Sequence, residues 1–132
     1  MLGRPLRVCD PFCGVGPALA TLLGEPDLVG DVLASDLNPD AVEMLLANLR
    51  RWDRKEYPSE PAPISRLHED RIAGLADATE LQHDPNLAEC WDMLLVNLPH
   101  RTIEILPSLV PLLDRTGPSM VCLLYTSPSP RD

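Results

Sequence analysis

The sequence predicts an α/β fold, a doubly wound parallel sheet covered by helices on both faces. Short apolar runs alternate with helical patterns along most of the 132 residues, as in chains that build parallel sheets. The run Asp92–Asn97 is continuously apolar at its centre, which is typical of a strand buried on both faces. A composition of 45% hydrophobic and 23% charged residues excludes disordered and collagen-like chains.

The first half of the chain predicts two strand–helix units. Leu6–Cys9 forms the first strand, and Pro17 suits the first turn of the helix that follows. Asp31–Asp36 forms the second strand, and Asn38-Pro39 supplies a cap and a first-turn proline. Apolar residues then recur at helical spacing after each start: Ala18, Leu19, Leu22 and Leu23 in the first helix, and Val42, Leu45, Leu46 and Leu49 in the second.

The second half contains weaker signals. Residues 53–70, with three prolines among charges, are predicted to form a surface connection. Arg71–Leu75 forms a third strand, and a short helix near Thr79–Leu81 follows it. Asp92–Asn97 forms the fourth strand. Residues 102–113 are helical, but Pro107 and Pro111 each remove a backbone donor, which predicts a kink or two short helices. Ser119–Val121 begins a fifth strand, after which the predicted sheet stops.

The charge and the cysteines narrow the class of protein. Eleven basic against 20 acidic residues give a net charge of −9, so the chain as a whole should not hold a phosphate backbone; an RNA partner would need a basic module absent from it. The four cysteines follow no signal peptide, and no apolar run is long enough to span a bilayer. We therefore expect a reduced, cytoplasmic protein with no membrane partner. Cys9 and Cys13 alone make a poor zinc site, so no metal is expected.

Polar residues follow the ends of several predicted strands, where open parallel sheets bind ligands. Gly14 and Gly16 follow the first strand, Asp36 ends the second and Asn97 ends the fourth. Asp36 lies 20 residues after Gly16, the spacing at which a carboxylate meets a ribose. Leu19 replaces the third glycine of a dinucleotide fingerprint, which counts against NAD, and no phosphate-binding G-K-[ST] is present. An adenosine-type ligand without phosphates remains.

These residues carry a resemblance to a known family. The segments 8–17 (VCDPFCGVGP) and 34–43 (ASDLNPDAVE) resemble the first two motifs of class I S-adenosylmethionine-dependent methyltransferases, which have a Rossmann-like fold. The segment 92–100 (DMLLVNLPH) is similar to their fourth motif. Its Asn-Leu-Pro form most resembles tRNA guanine-N1 methyltransferases and their relatives in the wybutosine pathway. The resemblance covers about residues 6–121.

The resemblance implies a role for each matching residue. Asp10, Gly14 and Gly16 would border the methionine moiety of S-adenosylmethionine, and Asp36 would bind its ribose. Asp77 would reach the adenine amino group. Asn97 through Pro99 would form the lip of the pocket at which the target base meets the methyl group. His100 stands where amino-group methyltransferases commonly place an aromatic residue, which lowers the expectation of an exocyclic amine as the target.

Each of these positions also has a structural alternative. The two glycines could form a plain turn between strand and helix, Asp10 could merely end a strand, and Asp77 could cap the helix after it. Asn97 could end its strand through its own turn chemistry. For His100, a solvent-facing position at a helix start competes with a role as a proton shuttle.

The end of the chain predicts a boundary. Residues 122–132 resemble the translation of a transposon-type sequencing adapter, so we expect a methyltransferase domain over 1–121, incomplete, and a non-native tail over 122–132. The function expected from the sequence is methylation of a tRNA guanine at N1. The alternatives are aminocarboxypropyl transfer in wybutosine synthesis, methylation of a protein or small molecule, and an inactive cofactor-binding fragment.

Overall fold

The computed structural model describes residues 4–12, 17–25, 27–96 and 102–123. Strands and helices alternate along these segments, as the sequence predicts. The elements in chain order are β1 (Leu6–Asp10), α1 (Pro17–Leu23), β2 (Val29–Asp36), α2 (Pro39–Asp53), β3 (Ser65–His68), β4 (Arg71–Leu75), a 3₁₀ helix (Ala78–His83), β5 (Met93–Val96), α3 (Thr102–Leu109), a second 3₁₀ helix (Val110–Leu112) and β6 (Met120–Leu123).

The six strands form one sheet in the order β3-β4-β2-β1-β5-β6. All neighbours are parallel except β3 and β4. The chain first builds outward from β1 through β2 and β4, and then returns to the other side of β1 with β5 and β6. Sheets of this kind bind ligands beyond the carboxyl ends of the strands, at the point where the strand order reverses.

The prediction of a wholly parallel sheet is wrong at one edge. Residues 53–70 were expected to form only a surface connection, but Ser65–His68 pairs antiparallel with β4. This strand is polar and partly exposed, so it lacks the apolar run by which a strand is recognised in a sequence. Antiparallel edge strands on otherwise parallel sheets are common, and charged residues on an edge discourage pairing with another chain.

The helix α2 confirms its prediction from the cap and the apolar spacing. The side chain of Asn38 accepts a hydrogen bond from the backbone N–H of Asp40 at 2.9 Å, and Pro39 is the first helical residue. The four predicted apolar residues, Val42, Leu45, Leu46 and Leu49, are all buried. In the second half, Pro107 lies inside α3, and Pro111 lies in the 3₁₀ helix that follows. Two short helices therefore occupy this segment, as its prolines predict.

Successive residues of each central strand enter cores on opposite faces of the sheet. On one face α1 and α2 cover Val8, Val32 and Leu95. On the other face α3 and both 3₁₀ helices cover Cys9, Leu33 and Leu94. Burial on both faces explains why these strands are continuously apolar rather than alternating.

Ion pairs centred on two buried residues, Asp92 and Arg71, stabilise the amino edge of the sheet. Asp92, immediately before β5, accepts hydrogen bonds from the guanidinium groups of Arg4 and Arg7, and Arg7 also pairs with Asp114. On the other side of β1, Arg71 donates to Asp53 at 3.0 Å and to the carbonyl oxygen of Gly30 at 2.6 Å. The second network fixes the end of α2 against the amino ends of β2 and β4.

Candidate functional site

Three acidic residues follow neighbouring strands at the carboxyl edge of the sheet. Asp10 ends β1 and Asp36 ends β2, while Asp77 lies two residues beyond β4. Asp10 is level with Ala34, and Asp36 is level with Leu75. Adjacent strands lie about 4.8 Å apart and rise about 3.3 Å per residue, so the Cα atoms of Asp10 and Asp36 are about 8 Å apart. The structure thus brings these two predicted site residues together.

Asp10 is the most unusual of the three. Its side chain is buried, with the residue 2% exposed, and within the described part of the chain its Oδ1 has no hydrogen-bond partner. Burial raises the pKa of Asp10 to about 7; the Phe12 N–H bond opposes the rise, and the charge of Asp36 adds to it. A buried carboxyl group with an unused acceptor costs free energy unless a donor or a cation meets it. Among the described residues, no donor or cation meets the Asp10 Oδ1.

Asp36 is held at the carboxyl edge of the sheet by local hydrogen bonds. The backbone N–H of Asn38 donates to its Oδ1 at 3.0 Å, and the N–H of Ala76 donates to its carbonyl oxygen at 3.1 Å. Asp36 is half-buried, between the buried β2 core and the exposed start of α2. The turn thus fixes the direction of the Asp36 carboxylate.

Asp77 caps the helix that follows it, which is the structural alternative given for this residue. Its Oδ1 accepts hydrogen bonds from the backbone N–H of Thr79 at 2.9 Å and from the Thr79 hydroxyl at 2.7 Å, and it caps the 3₁₀ helix Ala78–His83. The residue is exposed. The cap occupies one carboxylate oxygen, so any contact of Asp77 with a ligand would have to use Oδ2.

Two further residues of this edge were not singled out from the sequence. Leu37, between Asp36 and the cap of α2, is 66% exposed. The signal that could have found it is an apolar residue directly after a strand-ending acid. Ser35 is fully buried, and its hydroxyl donates to the carbonyl oxygen of Pro11 at 3.4 Å. It ties the end of β2 to the turn after β1.

The other predicted site residues lie outside the described residues. These are Gly14 and Gly16 after β1, and Asn97, Pro99 and His100 after β5. The segments that contain them follow Phe12 and Val96, so both continue from the carboxyl edge at which Asp10 and Asp36 stand. Their roles stay predictions.

Two cavities lie away from this edge. One, of about 170 Å³, includes Arg7 and Asp31 from the amino edge, and the other, of about 390 Å³, lies beside β3. Arg66, Ile72 and Asn86 line both of them, and neither reaches Asp10, Asp36 or Asp77. We place the site at the carboxyl edge because the reversal of strand order lies there, together with the buried Asp10, whose Oδ1 has no hydrogen-bond partner among the described residues.

Comparison with known proteins identifies the fold. No family model matches the sequence, and no curated protein matches it. Among solved structures, TYW2 of M. jannaschii in complex with AdoMet is similar at a TM-score of 0.58 and 22% identity, over 83% of this chain and 42% of that one. A SAM-dependent O-methyltransferase of Thermotoga maritima has a TM-score of 0.57 and 17% identity, over 84% of this chain and 35% of that one. A proposed rRNA methylase of Clostridium thermocellum has a TM-score of 0.63 and 19% identity, over 95% of this chain and 63% of that one.

The chain has the class I methyltransferase fold. This confirms the Rossmann-like architecture expected from the motifs, with the antiparallel β3 added at one edge. The chain spans less than two thirds of the length of each of these three proteins. Among the described residues, no helix combines the length and apolar character needed to cross a bilayer. Nor do the described segments hold a group of three or more residues that could bind a metal ion.

Proposed function

We propose that the carboxyl edge of the sheet binds S-adenosylmethionine and that the chain is the cofactor-binding part of a tRNA-modifying transferase. The observation that carries this proposal is the pair Asp10 and Asp36, on adjacent strands where the strand order reverses. S-adenosylmethionine has a sulfonium and an ammonium cation against one carboxylate, so its net charge suits an acidic edge. The buried Asp10 carboxyl would meet the methionine moiety and its ammonium group.

The nucleoside end of the cofactor fits the remaining residues. The fixed carboxylate of Asp36 would accept both ribose hydroxyls, in charge-assisted bonds worth about 1.5–3 kcal/mol each. The exposed side chain of Leu37 would cover one face of the adenine ring. Gly14 and Gly16 would let the backbone approach closely, and Asp77 would offer Oδ2 to the adenine amino group.

The reaction we infer is methylation of a tRNA guanine at N1. When bound, S-adenosylmethionine supplies an electrophilic methyl group for an in-line displacement, so positioning accounts for most of the catalysis. Asn97 through Pro99 would form the lip that orients the target base. A guanine N1 carries a proton at neutral pH, so a base must also remove it; His100 is the candidate within this chain. The support is the similarity of residues 92–100 to the fourth motif of tRNA guanine-N1 methyltransferases.

A second candidate is transfer of an aminocarboxypropyl group from the same cofactor. Two observations favour it: the sequence motifs also resemble wybutosine-pathway transferases, and the fold is similar to that of TYW2 in complex with AdoMet. The same pocket would serve, with a different carbon–sulfur bond broken. The two groups differ in mass, so mass spectrometry of digested tRNA, treated with the longest available form of the protein, distinguishes the two reactions.

Calorimetry tests the cofactor site directly. Asp36→Ala removes both ribose bonds and should weaken S-adenosylmethionine binding at least tenfold, about 1.4 kcal/mol. The matched control is Asp31→Ala, which removes the same charge from an exposed position of the same strand and should leave the affinity unchanged. Equal affinities of parent and Asp36→Ala would show that the pocket is wrongly assigned.

A further inference from the structure

We propose that the basic turn at the end of α2, formed by Arg50, Arg51, Arg54 and Lys55, binds the phosphate backbone of the RNA substrate. It lies at the opposite edge of the sheet from the candidate site. The proposal rests on the proposed function for the identity of the RNA as substrate, and on the charge and geometry of the turn for the contact itself.

The basic turn concentrates positive charge in an acidic protein. Four of the 11 basic residues fall within the six residues 50–55, although the whole chain carries −9. The one acid among them, Asp53, is paired with the buried Arg71, which also pairs with Asp70. Asp53, Asp70 and Arg71 together leave one negative charge and Glu56 adds another, so two of the four positive charges of the turn remain in surplus. Arg51, Arg54 and Lys55 are exposed, and Arg50 is half-buried.

These cations are available, whereas most others in the described chain are not. Arg4 and Arg7 pair with Asp92, Arg71 pairs with Asp53, and Arg115 pairs with Glu89. Within the described segments, no residue of the basic turn makes an ion pair. Arg50 donates to the carbonyl oxygen of Pro58, and Arg51 donates to the side chain of Asn48, both neutral acceptors. No ion pair with another described residue therefore neutralises the charges of Arg50 and Arg51.

Capping of the helix does not account for the cluster. Basic residues in a last turn do stabilise a helix by interacting with its free carbonyl groups. Here the backbone N–H groups of Arg54 and Lys55 both donate to the carbonyl oxygen of Arg50. Arg54 and Lys55 lie beyond the last helical residue, Asp53, and both are exposed.

The position of the basic turn limits the size of the partner. The helix α2 starts beside Asp36 and runs for 15 residues, about 22 Å at 1.5 Å per residue. Arg71 fixes its far end to the amino edge of the sheet. A ligand that reaches both the basic turn and the cofactor crevice must therefore extend over about six base pairs, at about 3.4 Å each. A folded RNA has this reach, and a free nucleotide does not.

The same distance explains how an acidic protein can bind RNA here. At physiological salt the screening length is about 8 Å. The acids at the carboxyl edge, such as Asp36 and Asp40, lie more than two screening lengths from Arg54 and Lys55, at about 1.5 Å per helical residue. Their repulsion of a phosphate bound at the turn is therefore largely screened. The local surplus of positive charge then determines whether a phosphate binds there. The expectation from the net charge of −9 applies to the chain as a whole and not to this surface.

A matched pair of double variants tests the proposal. Arg54→Gln/Lys55→Gln removes two charges from the basic turn, and Arg66→Gln/Arg115→Gln removes two from elsewhere on the surface. Fluorescence anisotropy with labelled tRNA measures the affinity of the full 132-residue chain. The salt concentration is varied from about 20 to about 200 mM, because the affinity contributed by phosphate contacts falls steeply over this range. The basic-turn variant should bind about tenfold more weakly at the lowest salt, and its slope of log K against log salt should fall by about 1.8.

The other outcomes each overturn the proposal. It is wrong if the parent chain binds no tRNA, if the control variant loses as much affinity, or if vesicles containing phosphatidylserine or polyglutamate compete as well as RNA does. Calorimetry with S-adenosylmethionine should give the same affinity for both double variants, which also shows that they are folded. If Asp36→Ala leaves cofactor binding unchanged while the basic turn still binds RNA, the proposed function fails and the present inference stands.

Discussion

Asp10 shows how one residue can oppose folding and still serve binding. Its carboxyl group is buried, and its Oδ1 has no hydrogen-bond partner among the residues that the structure describes, so its charged form is disfavoured in the folded chain without a ligand. The pKa of Asp10 rises to about 7, chiefly through burial. The folded state then holds a proton that the unfolded state releases near pH 4. Stability falls as the pH rises from about 4 to about 7 and is constant above that range.

The first prediction is that Asp10→Asn stabilises the chain without ligand at pH 8 and not at pH 4. A shift of about three pKa units corresponds to about 4 kcal/mol at most, so we expect a gain of about 2–4 kcal/mol at pH 8, because an amide removes the buried charge. Urea denaturation at both pH values measures it. The same variant should bind S-adenosylmethionine more weakly than the parent. A gain of equal size at both pH values would argue against titration of Asp10 as its source.

Asp92 is the opposite case, a buried acid with partners. Burial alone would raise the pKa of Asp92, but hydrogen bonds from Arg4 and Arg7 outweigh it and hold the pKa well below its usual range. The stability that Asp92 contributes is therefore present above about pH 4 and is lost as the pH falls further. The pH range in which Asp92 changes the stability does not overlap with the range in which Asp10 does.

The second prediction is that Asp92→Ala costs about 3 kcal/mol of stability at pH 7, because it leaves two guanidinium groups beside a buried edge without their shared acceptor. Arg115→Ala, which breaks an exposed pair with Glu89, should cost less than about 1 kcal/mol. Thermal unfolding of both variants gives the comparison. Similar losses from the two substitutions would mean that the Asp92 network contributes no more than a surface pair.

At the scale of elements, Gly74 determines how the β3–β4 edge is built. Its φ is +146°, and a Cβ atom there would lie 2.7 Å from the carbonyl oxygen of Ala62 and from the Cα of Ile64. The absence of a side chain lets residues 62–64 approach β4 closely enough for two backbone hydrogen bonds, between Ala62 or Ile64 and Leu75. The close approach holds the connection before β3 against the sheet.

The third prediction is that Gly74→Ala destabilises the protein by at least about 2 kcal/mol, through backbone strain and the clash together. The control is Gly117→Ala, because a Cβ there meets nothing within 4 Å and needs no unusual φ. Its effect should stay within about 0.5 kcal/mol. Denaturant unfolding of the two variants measures both changes in stability. If Gly74→Ala has no effect, segment 62–64 can shift away from β4.

The elements that could be predicted are those with an apolar signal. The central strands bury most of their apolar residues, and α2 buries Val42, Leu45, Leu46 and Leu49 at helical spacing, so the spacing of these residues indicates the elements. Ser65–His68 was missed because edge pairing depends on backbone hydrogen bonds, which no side-chain pattern records. β6 was predicted to begin at Ser119–Val121, and its pairing runs to Leu123, two residues past the predicted domain boundary.

The site residues could be predicted from the sequence only where they lie at the end of a strand that could itself be predicted. Asp10 and Asp36 follow apolar runs, so their common edge could be inferred once the strands were assigned. The capping of the 3₁₀ helix by Asp77, the exposure of Leu37 and the orphaned oxygen of Asp10 depend on distances between segments far apart in the chain. Such distances leave no local pattern in the sequence.

At the scale of the whole molecule, the tail gives the fourth prediction. If residues 122–132 are derived from an adapter, they were never selected to pack. Deleting residues 124–132, which keeps β6 intact through Leu123, should leave the melting temperature and the affinity for S-adenosylmethionine unchanged. A loss of more than about 1 kcal/mol in stability would show that the tail belongs to the native protein.

The pairing of β1 with β5 sets the order in which the protein can assemble. The backbone N–H of Arg7 bonds to Asp92 across a separation of 85 residues, whereas β2 joins β1 from much nearer in the chain. At synthesis rates of 5–20 residues per second, β1 would wait roughly 4–17 s for its second neighbour. During that interval the nascent chain would present an unpaired apolar strand, the kind of edge on which aggregation starts and chaperones act.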